Sequence, residues 1–271
     1  MKRIGILYHP KIERARELAH RLKEFLTMEG ISSWQCSAWE EDEATPQVTG
    51  SELIFSIGGD GTVLHTAHVA APFEVPILGV NFGKLGFITE LGGGELLSRL
   101  PEILEGEGWI EERAMLQSQI EDRKFHALND VVLRTTNVRL ISIEIQIDAG
   151  VLTTYRADGI IIATATGSTA YSLAAGGPVL HPECGDIVLQ PICCHLGLNY
   201  TLVLPSQSVI TAKVISRDGA ILSLDGQLNL PLSCEQSIQI KLSPYIARFL
   251  RIRNPGYFYS SLWQKLQGKV A

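Results

Sequence analysis

The chain has 271 residues, 45% hydrophobic and 19% charged, which suits one large domain or two modest ones with a buried core. A formal net charge of -6 argues against a general nucleic-acid binder, which carries a basic face, yet permits a local anion pocket. No apolar run approaches the roughly 20 residues of a membrane span, and Pro10 with the charged stretch behind it interrupts any signal-peptide core.

The five cysteines (Cys36, Cys184, Cys193, Cys194 and Cys234) are odd in number and contain no C-x-x-C pair. They indicate neither a disulfide framework nor a zinc site, and reduced thiols in the cytoplasm are expected.

In chain order, residues 3–8 form an apolar run that reads as a strand. Residues 12–28 carry apolar side chains at helical spacing, and Gly30 follows as a stop signal. A second strand is expected over 33–38, and the acidic run 40–43 is expected as a solvated loop rather than a metal site. Residues 53–57 read as a buried strand running into Gly58-Gly59-Asp60-Gly61-Thr62, with a helix over 63–70 behind it and another strand over 75–80. This alternation predicts a parallel sheet with helices on both faces.

The pattern changes near Pro101. Short β-branched runs recur at 127–133, 140–147, 159–163, 209–215, 220–224 and 237–242, separated by turn residues. They predict a mostly antiparallel, β-rich domain. The run Gly92-Gly93-Gly94 reads as a hinge. Residues 257–266 read as a returning helix with Leu262, Trp263 and Leu266 on its apolar face. The expected fold class is therefore an α/β N-terminal domain with a parallel sheet (residues 1–100, rejoined by the tail 245–271) and a mostly antiparallel β-rich domain (101–244).

Three segments carry chemistry. Glycines directly after a buried strand let a ligand approach the backbone, and the helix behind offers free N–H groups that favour phosphate. Asp60 in that loop repels phosphate, so its role is to orient or deprotonate a hydroxyl or to hold a divalent cation. The loop is neither a Walker A sequence nor a dinucleotide fingerprint. A strand-to-helix turn favours glycine and aspartate on structural grounds as well.

The second segment, residues 158–178, is an apolar strand running into a dense cluster of hydroxyls and glycines, with Tyr171 able to lie against a flat ring. The third is Asn129-Asp130 at the mouth of an apolar strand, where two acceptor oxygens suit neighbouring ribose hydroxyls; an Asx turn explains the pair equally. His65 and His68 lie three apart on the helix behind the loop, as surface or phosphate-adjacent groups, and His65 is close enough to the loop to touch a phosphate. Cys193-Cys194-His195 lies in an apolar run whose side chains alternate, which counts against a joint catalytic role.

Taken together in this order, the motifs resemble the NAD kinase family. Its G-G-D-G-T loop stands at 58–62, its Asn-Glu pair as Asn129-Asp130 and its glycine- and threonine-rich motif at 164–178. The stretch 79–89 is similar to the family's linker after the fourth strand. Two departures stand out: Asp130 where the family commonly has Glu, and Thr164-Ala165-Thr166 where many members have T-P-T.

The resemblance implies ATP as phosphoryl donor, a divalent cation, Mg²⁺ by expectation, and NAD bound at the junction of the domains and between subunits. It implies Asp60 as the catalytic carboxylate near the NAD 2′-hydroxyl. NAD and ATP contacts are implied for Gly58, Gly59, Gly61, Thr62, Asn129, Asp130, Arg139, Arg156 and Asp158, and His65 joins them by its nearness to the loop. Thr169, Ala170, Tyr171, Ser172, Leu173 and Ala174 would form a wall of the dinucleotide site. Gln227 would reach a neighbouring subunit's ligand in a homo-oligomer, a dimer or tetramer. No metal ligands are assigned, and polyphosphate stands as an alternative donor. The rival readings are a lipid kinase, a sugar kinase with a similar loop, and a dinucleotide sensor without turnover.

Overall fold

The computed structural model describes residues 1–83, 86–135, 137–196 and 198–267. Lys84 and Leu85, within the 79–89 stretch noted above, lie outside the described residues. The chain divides into two compact units, Met1–Glu112 with Ala247–Ala271, and Arg113–Ile246.

The first unit opens with β1 (Arg3–Tyr8), α1 (Glu13–Met28), β2 (Ser32–Ser37), α2 (Glu41–Val48) and β3 (Leu53–Gly58). It continues through α3 (Asp60–Ala70), β4 (Ile77–Asn81), β5 (Leu91–Gly92) and α4 (Leu96–Glu105). The strands stand in the order β2-β1-β3-β4, all parallel. Side chains alternate across a strand. Ile4, Ile6, Phe55 and Ile57 share a core with Leu18, Leu22 and Leu26 of α1 and Leu96, Leu100 and Ile103 of α4. On the opposite face of β3, Ser56 Oγ accepts from Thr66 Oγ1 of α3 at 2.8 Å. Burial on both faces explains why β3 reads as an unbroken apolar run.

The acidic run is not a solvated loop. Glu41, Asp42 and Glu43 form the first turn of α2, where carboxylates are favoured by the helix dipole, and Ala44 and Val48 bury its inner face. Pro101 does not open the strand-rich part. It sits inside α4, where the spacing of Leu96, Leu100 and Ile103 outweighs the proline. The glycine run 92–94 lies within the first unit, between β5 and α4.

In the second unit β6 (Trp109–Ile120), which begins in the first, leads to β7 (Arg123–Ala127), β8 (Asp130–Arg134), β9 (Ile141–Ile147), β10 (Gly150–Ala157) and β11 (Gly159–Ala163). After the short α5 (Tyr171–Ala174) come β12 (Ile187–Ile192), β13 (Leu202–Leu204), β14 (Ile210–Val214), β15 (Ala220–Leu224), β16 (Leu228–Leu232) and β17 (Ser237–Arg251). One antiparallel layer runs β13-β12-β11-β8-β15-β16, a second β10-β9-β14-β17. They share an aliphatic core that includes Val131, Leu133, Ile160 and Ile162 from the first layer and Ile143, Tyr155, Ile210 and Ile240 from the second. Both architectures agree with the fold class expected from the sequence.

The last helix, α6 (Tyr257–Gln267), belongs to the first unit. Its inner face is not the one expected: Trp263 is exposed, whereas Ser261 and Lys265 are buried. The Lys265 ammonium stands over the Phe87 and Tyr257 rings, so its aliphatic stem supplies the packing that Trp263 was expected to give.

Candidate active site

The strand order of the first unit reverses direction between β1 and β3, and open α/β sheets bind ligands in the crevice at the carboxyl ends beside such a point. The glycine loop lies there. Gly59 is extended, and its carbonyl accepts from the N–H groups of Thr62 and Val63 at 2.9 and 3.1 Å. Helix α3 therefore begins at Asp60 itself, three residues earlier than the apolar pattern indicated. A Cβ on Gly58 would overlap Thr62 Oγ1 and crowd the His9 Cβ, so packing excludes a side chain there. Thr62 is buried, and its Oγ1 has no hydrogen-bond partner among the described residues.

The Asp60 carboxylate is held by backbone. Oδ2 accepts the Phe87 N–H at 2.8 Å, and Oδ1 accepts those of Ile88 and Thr89 at 3.2 Å each. A carboxylate has about four lone-pair sites, so capacity remains on Oδ2 for one further donor. The segment that holds Asp60 is itself anchored. Buried Arg251 donates to the Ile88 carbonyl at 2.7 Å and pairs with Glu90 at 3.2 Å and Glu111 at 2.5 Å. Glu90 Oε1 accepts the N–H groups of Ile252 and Arg253 at 2.9 and 2.7 Å. None of Arg251, Glu90 and Glu111 stood out in the sequence, because each belongs to a network formed across distant segments.

Beside the loop, His65 Nδ1 lies 2.7 Å from Glu41 Oε1 and His68 Nδ1 3.7 Å from the same oxygen. Burial pushes the Glu41 carboxyl up, but hydrogen bonds from His65 and then His68 outweigh it and bring it down to about 2. The Trp39 ring stands 4.3 Å from that of His65 and 4.5 Å from that of His9.

In the second unit, a cavity of about 370 Å³ is lined by Asn129, Asp130, Arg134, Tyr171, Ser223 and Asp225, among others. Asp225 follows β15, and its carboxylate accepts three consecutive backbone N–H groups: Leu128 and Asn129 at 2.8 and 2.7 Å, and Asp130 at 3.1 Å. This fixes the turn that presents the Asn129-Asp130 pair. Burial, reinforced by the Asp225 charge, pushes the Asp130 carboxyl up to about 7. Asn129 Oδ1 has no hydrogen-bond partner among the described residues.

The threonine-rich turn packs onto the same strand mouth. Thr164 Oγ1 donates to the Leu128 carbonyl at 2.6 Å, and a Cβ on Gly167 would overlap the Asn129 carbonyl, which explains glycine there. Of the expected dinucleotide wall, Ala170 and the 42% exposed Tyr171 line the cavity. Thr169 is buried, with Oγ1 donating to the Thr166 carbonyl at 3.0 Å. Ser172 is buried with an unpartnered Oγ among the described residues, Leu173 is half-buried and Ala174 exposed.

Arg139 lines a separate open depression with Asn137, Val138 and Asp218. Arg156 is exposed on β10, and its N–H donates to the Leu196 carbonyl at 2.8 Å. Asp158 spans two strands through its backbone, and Gln227 follows the Asp225 turn with its N–H on the Leu224 carbonyl. Asp225 is the residue that sequence reading passed over. Its signal was an aspartate–glycine turn directly after an apolar strand, which alone reads as a hairpin.

Two family models match the chain: the ATP-NAD kinase N-terminal domain over residues 10–108 and the ATP-NAD kinase C-terminal domain over residues 128–252. A curated NAD kinase of Dehalococcoides mccartyi is 45% identical, covering 98% of this chain and 96% of its own. One from Chloroflexus aurantiacus is 35% identical over 98% and 99%. Among solved structures, yeast NADH kinase complexed with NADH matches at a TM-score of 0.82 and 24% identity, covering 98% of this chain and 88% of that one. An NAD kinase from Archaeoglobus fulgidus in complex with ATP matches at 0.78 and 23% identity, covering 98% of each chain. At these identities the two structures establish the fold alone.

The two-unit fold and the glycine loop ending in a held carboxylate define a nucleotide-dependent phosphotransferase. Both family models match in chain order, and the relatives align end to end. The chain belongs to the ATP-NAD kinase family.

Proposed function

We infer that this chain transfers the γ-phosphoryl group of ATP to the 2′-hydroxyl of the adenosine ribose of NAD, giving NADP. The observation that carries this reading is the Asp60 carboxylate. It is fixed by three backbone N–H groups at the start of α3 and keeps one acceptor position, on Oδ2. That suits a group that orients the acceptor hydroxyl and takes its proton as the phosphoryl group arrives. Phosphoryl transfer needs positioning and charge stabilisation more than covalent help.

The loop 58–62 takes the donor phosphates, since Gly61 faces open space and the dipole at the start of α3 favours an anion there. His65, held by Glu41 through Nδ1, would address a phosphate oxygen through Nε2. The cavity of the second unit takes a ribose of NAD, with Asn129 and Asp130 addressing its hydroxyls and Tyr171 lying against a ring. Asp158, Arg139, Arg156 and Gln227 stand as further NAD contacts on the strength of the family resemblance.

A divalent cation, Mg²⁺, accompanies the donor. Asp60 already accepts three N–H groups. Among the described residues the clustered potential ligands are Cys36, Glu40 and Glu43, around the β2–α2 turn. No cage of carboxylates for the ion stands at the glycine loop among the described residues, and the ATP phosphates would supply its ligands. We read the protein as cytoplasmic and homo-oligomeric; among the described residues no helix is long and apolar enough to cross a membrane.

The test is to incubate purified protein with NAD, ATP and Mg²⁺, and to detect NADP with an NADP-specific dehydrogenase. Asp60→Asn is run alongside, with polyphosphate as a second donor. NADP from wild type and a loss of order 10²-fold or more in the variant are expected. Binding of NAD without turnover on either donor would instead make the protein a sensor.

A further inference from the structure

Two carboxyl groups share the 370 Å³ cavity, and the structure treats them differently. Asp225 accepts three backbone N–H groups. Asp130 is 5% exposed and receives no such donors among the described residues; its own N–H is one of the three given to Asp225. Burial, reinforced by the neighbouring Asp225 charge, pushes the Asp130 carboxyl up, so it holds a proton more readily than an ordinary aspartate.

The other elements against Asp130 offer little charge. β11 is Gly-Ile-Ile-Ile-Ala, and β15 is Ala-Ile-Leu-Ser-Leu. β16 and the turn 164–169 hold no ionisable side chain, β8 adds only Arg134, exposed at its far end, and α5 adds only Tyr171.

Ribose hydroxyls donate to carboxylates, as an acidic side chain does on a ribose diol in dinucleotide sites generally. A protonated carboxyl accepts hydroxyls more weakly than its anion does, so binding of the ribose diol favours loss of the Asp130 proton. We propose that Asp225 is the positioning residue of the ribose subsite: its carboxylate anchors the turn presenting Asn129 and Asp130, and its charge adds to the burial that couples ribose binding at Asp130 to release of one proton to solvent. This rests on the reading that NAD occupies this cavity and goes beyond it by assigning Asp225 and a proton to the binding step.

The linkage has a definite sign. Only the ionised fraction of Asp130 binds in full, and that fraction rises with pH. With the carboxyl at about 7, NAD affinity increases about tenfold from pH 6 to pH 8, and close to one proton is released per NAD bound at pH 6.

The experiment is calorimetric titration of the full-length protein with NAD, without ATP, at pH 6, 7 and 8, in two buffers of different ionisation enthalpy, with NADP formation assayed on the same preparations. Asp225→Asn removes the neighbouring charge while burial remains, so it should weaken NAD binding, move the rise in affinity to lower pH and reduce the proton release at pH 6. Asp130→Asn cannot titrate and should show neither the rise nor the release, and it decides the matter if Asp225→Asn does not fold. A merely structural Asp225 would weaken binding equally at all pH values with proton release intact, and that result overturns the proposal. Wild type that forms NADP but releases no proton at pH 6 also overturns it. Wild type that neither binds NAD nor forms NADP removes the functional reading, and this inference with it.

Discussion

The Phe87 N–H donates to Asp60 Oδ2 at 2.8 Å, so the carboxylate at the head of α3 is aimed by a segment that follows β4. Ile88 and Thr89 hold the other oxygen, and Gly86 stands so close that a Cβ there would overlap Oδ1. Gly86→Ala is therefore expected to turn the carboxylate away while leaving the sheet intact. NADP formation should fall about 10²-fold at unchanged far-ultraviolet ellipticity, in keeping with the cost of misplacing a reacting group by about 1 Å. A variant as fast as wild type would show that this segment does not aim Asp60.

Arg251 is the buried cation between Glu90 and Glu111, with its side chain 7% exposed. Removing it leaves two carboxylates without their partner. Arg251→Met should lose about 3–5 kcal/mol in urea unfolding. Arg251→Lys retains the charge but loses the forked geometry, so a smaller loss is expected. Near-wild-type stability in the methionine variant would refute the network's role.

Asp130 predicts how stability changes with pH. Its carboxyl stands at about 7 in the folded chain against an ordinary value near 3.8. Between these values the folded state holds a proton that the unfolded state has lost, so stability contributed by this group falls as pH rises from about 4 to 7 and then levels. Asp130→Asn removes that dependence. It should equal wild type near pH 3.5 and exceed it at pH 8, by an amount on the order of 3 kcal/mol if the pair is undisturbed. Denaturant melts at the two pH values measure it, and a variant less stable than wild type at pH 8 would contradict the assignment.

His65 should matter for the donor alone. His65→Ala is expected to raise the KM for ATP about tenfold, the loss of one hydrogen bond to a charged group, with the KM for NAD unchanged. Glu41→Gln should move the same constant in the same direction but less, since it loosens the ring rather than removing it. A change in the NAD constant instead would place His65 elsewhere.

Much of this protein was legible in the linear chain because its information is local. Strand and helix periodicity, the glycines after β3 and the hydroxyl-rich turn after β11 are each set by steric and hydrogen-bonding needs within a few residues, and in order they resemble one family. Among the local readings that failed, two show why: the acidic run became the first turn of α2 because its carboxylates suit a helix start, and Trp263 yielded the inner face of α6 to Lys265, whose ammonium stands over two rings. What the tertiary structure alone decided is how the carboxylates are held. Asp60 is aimed by residues 87–89, Arg251 ties that segment to Glu90 and Glu111, and Asp225 fixes the turn at Asn129-Asp130. These bonds join residues far apart in sequence, and a carboxylate's partners depend on which backbone N–H groups the fold leaves unpaired beside it, which no local pattern of residues specifies.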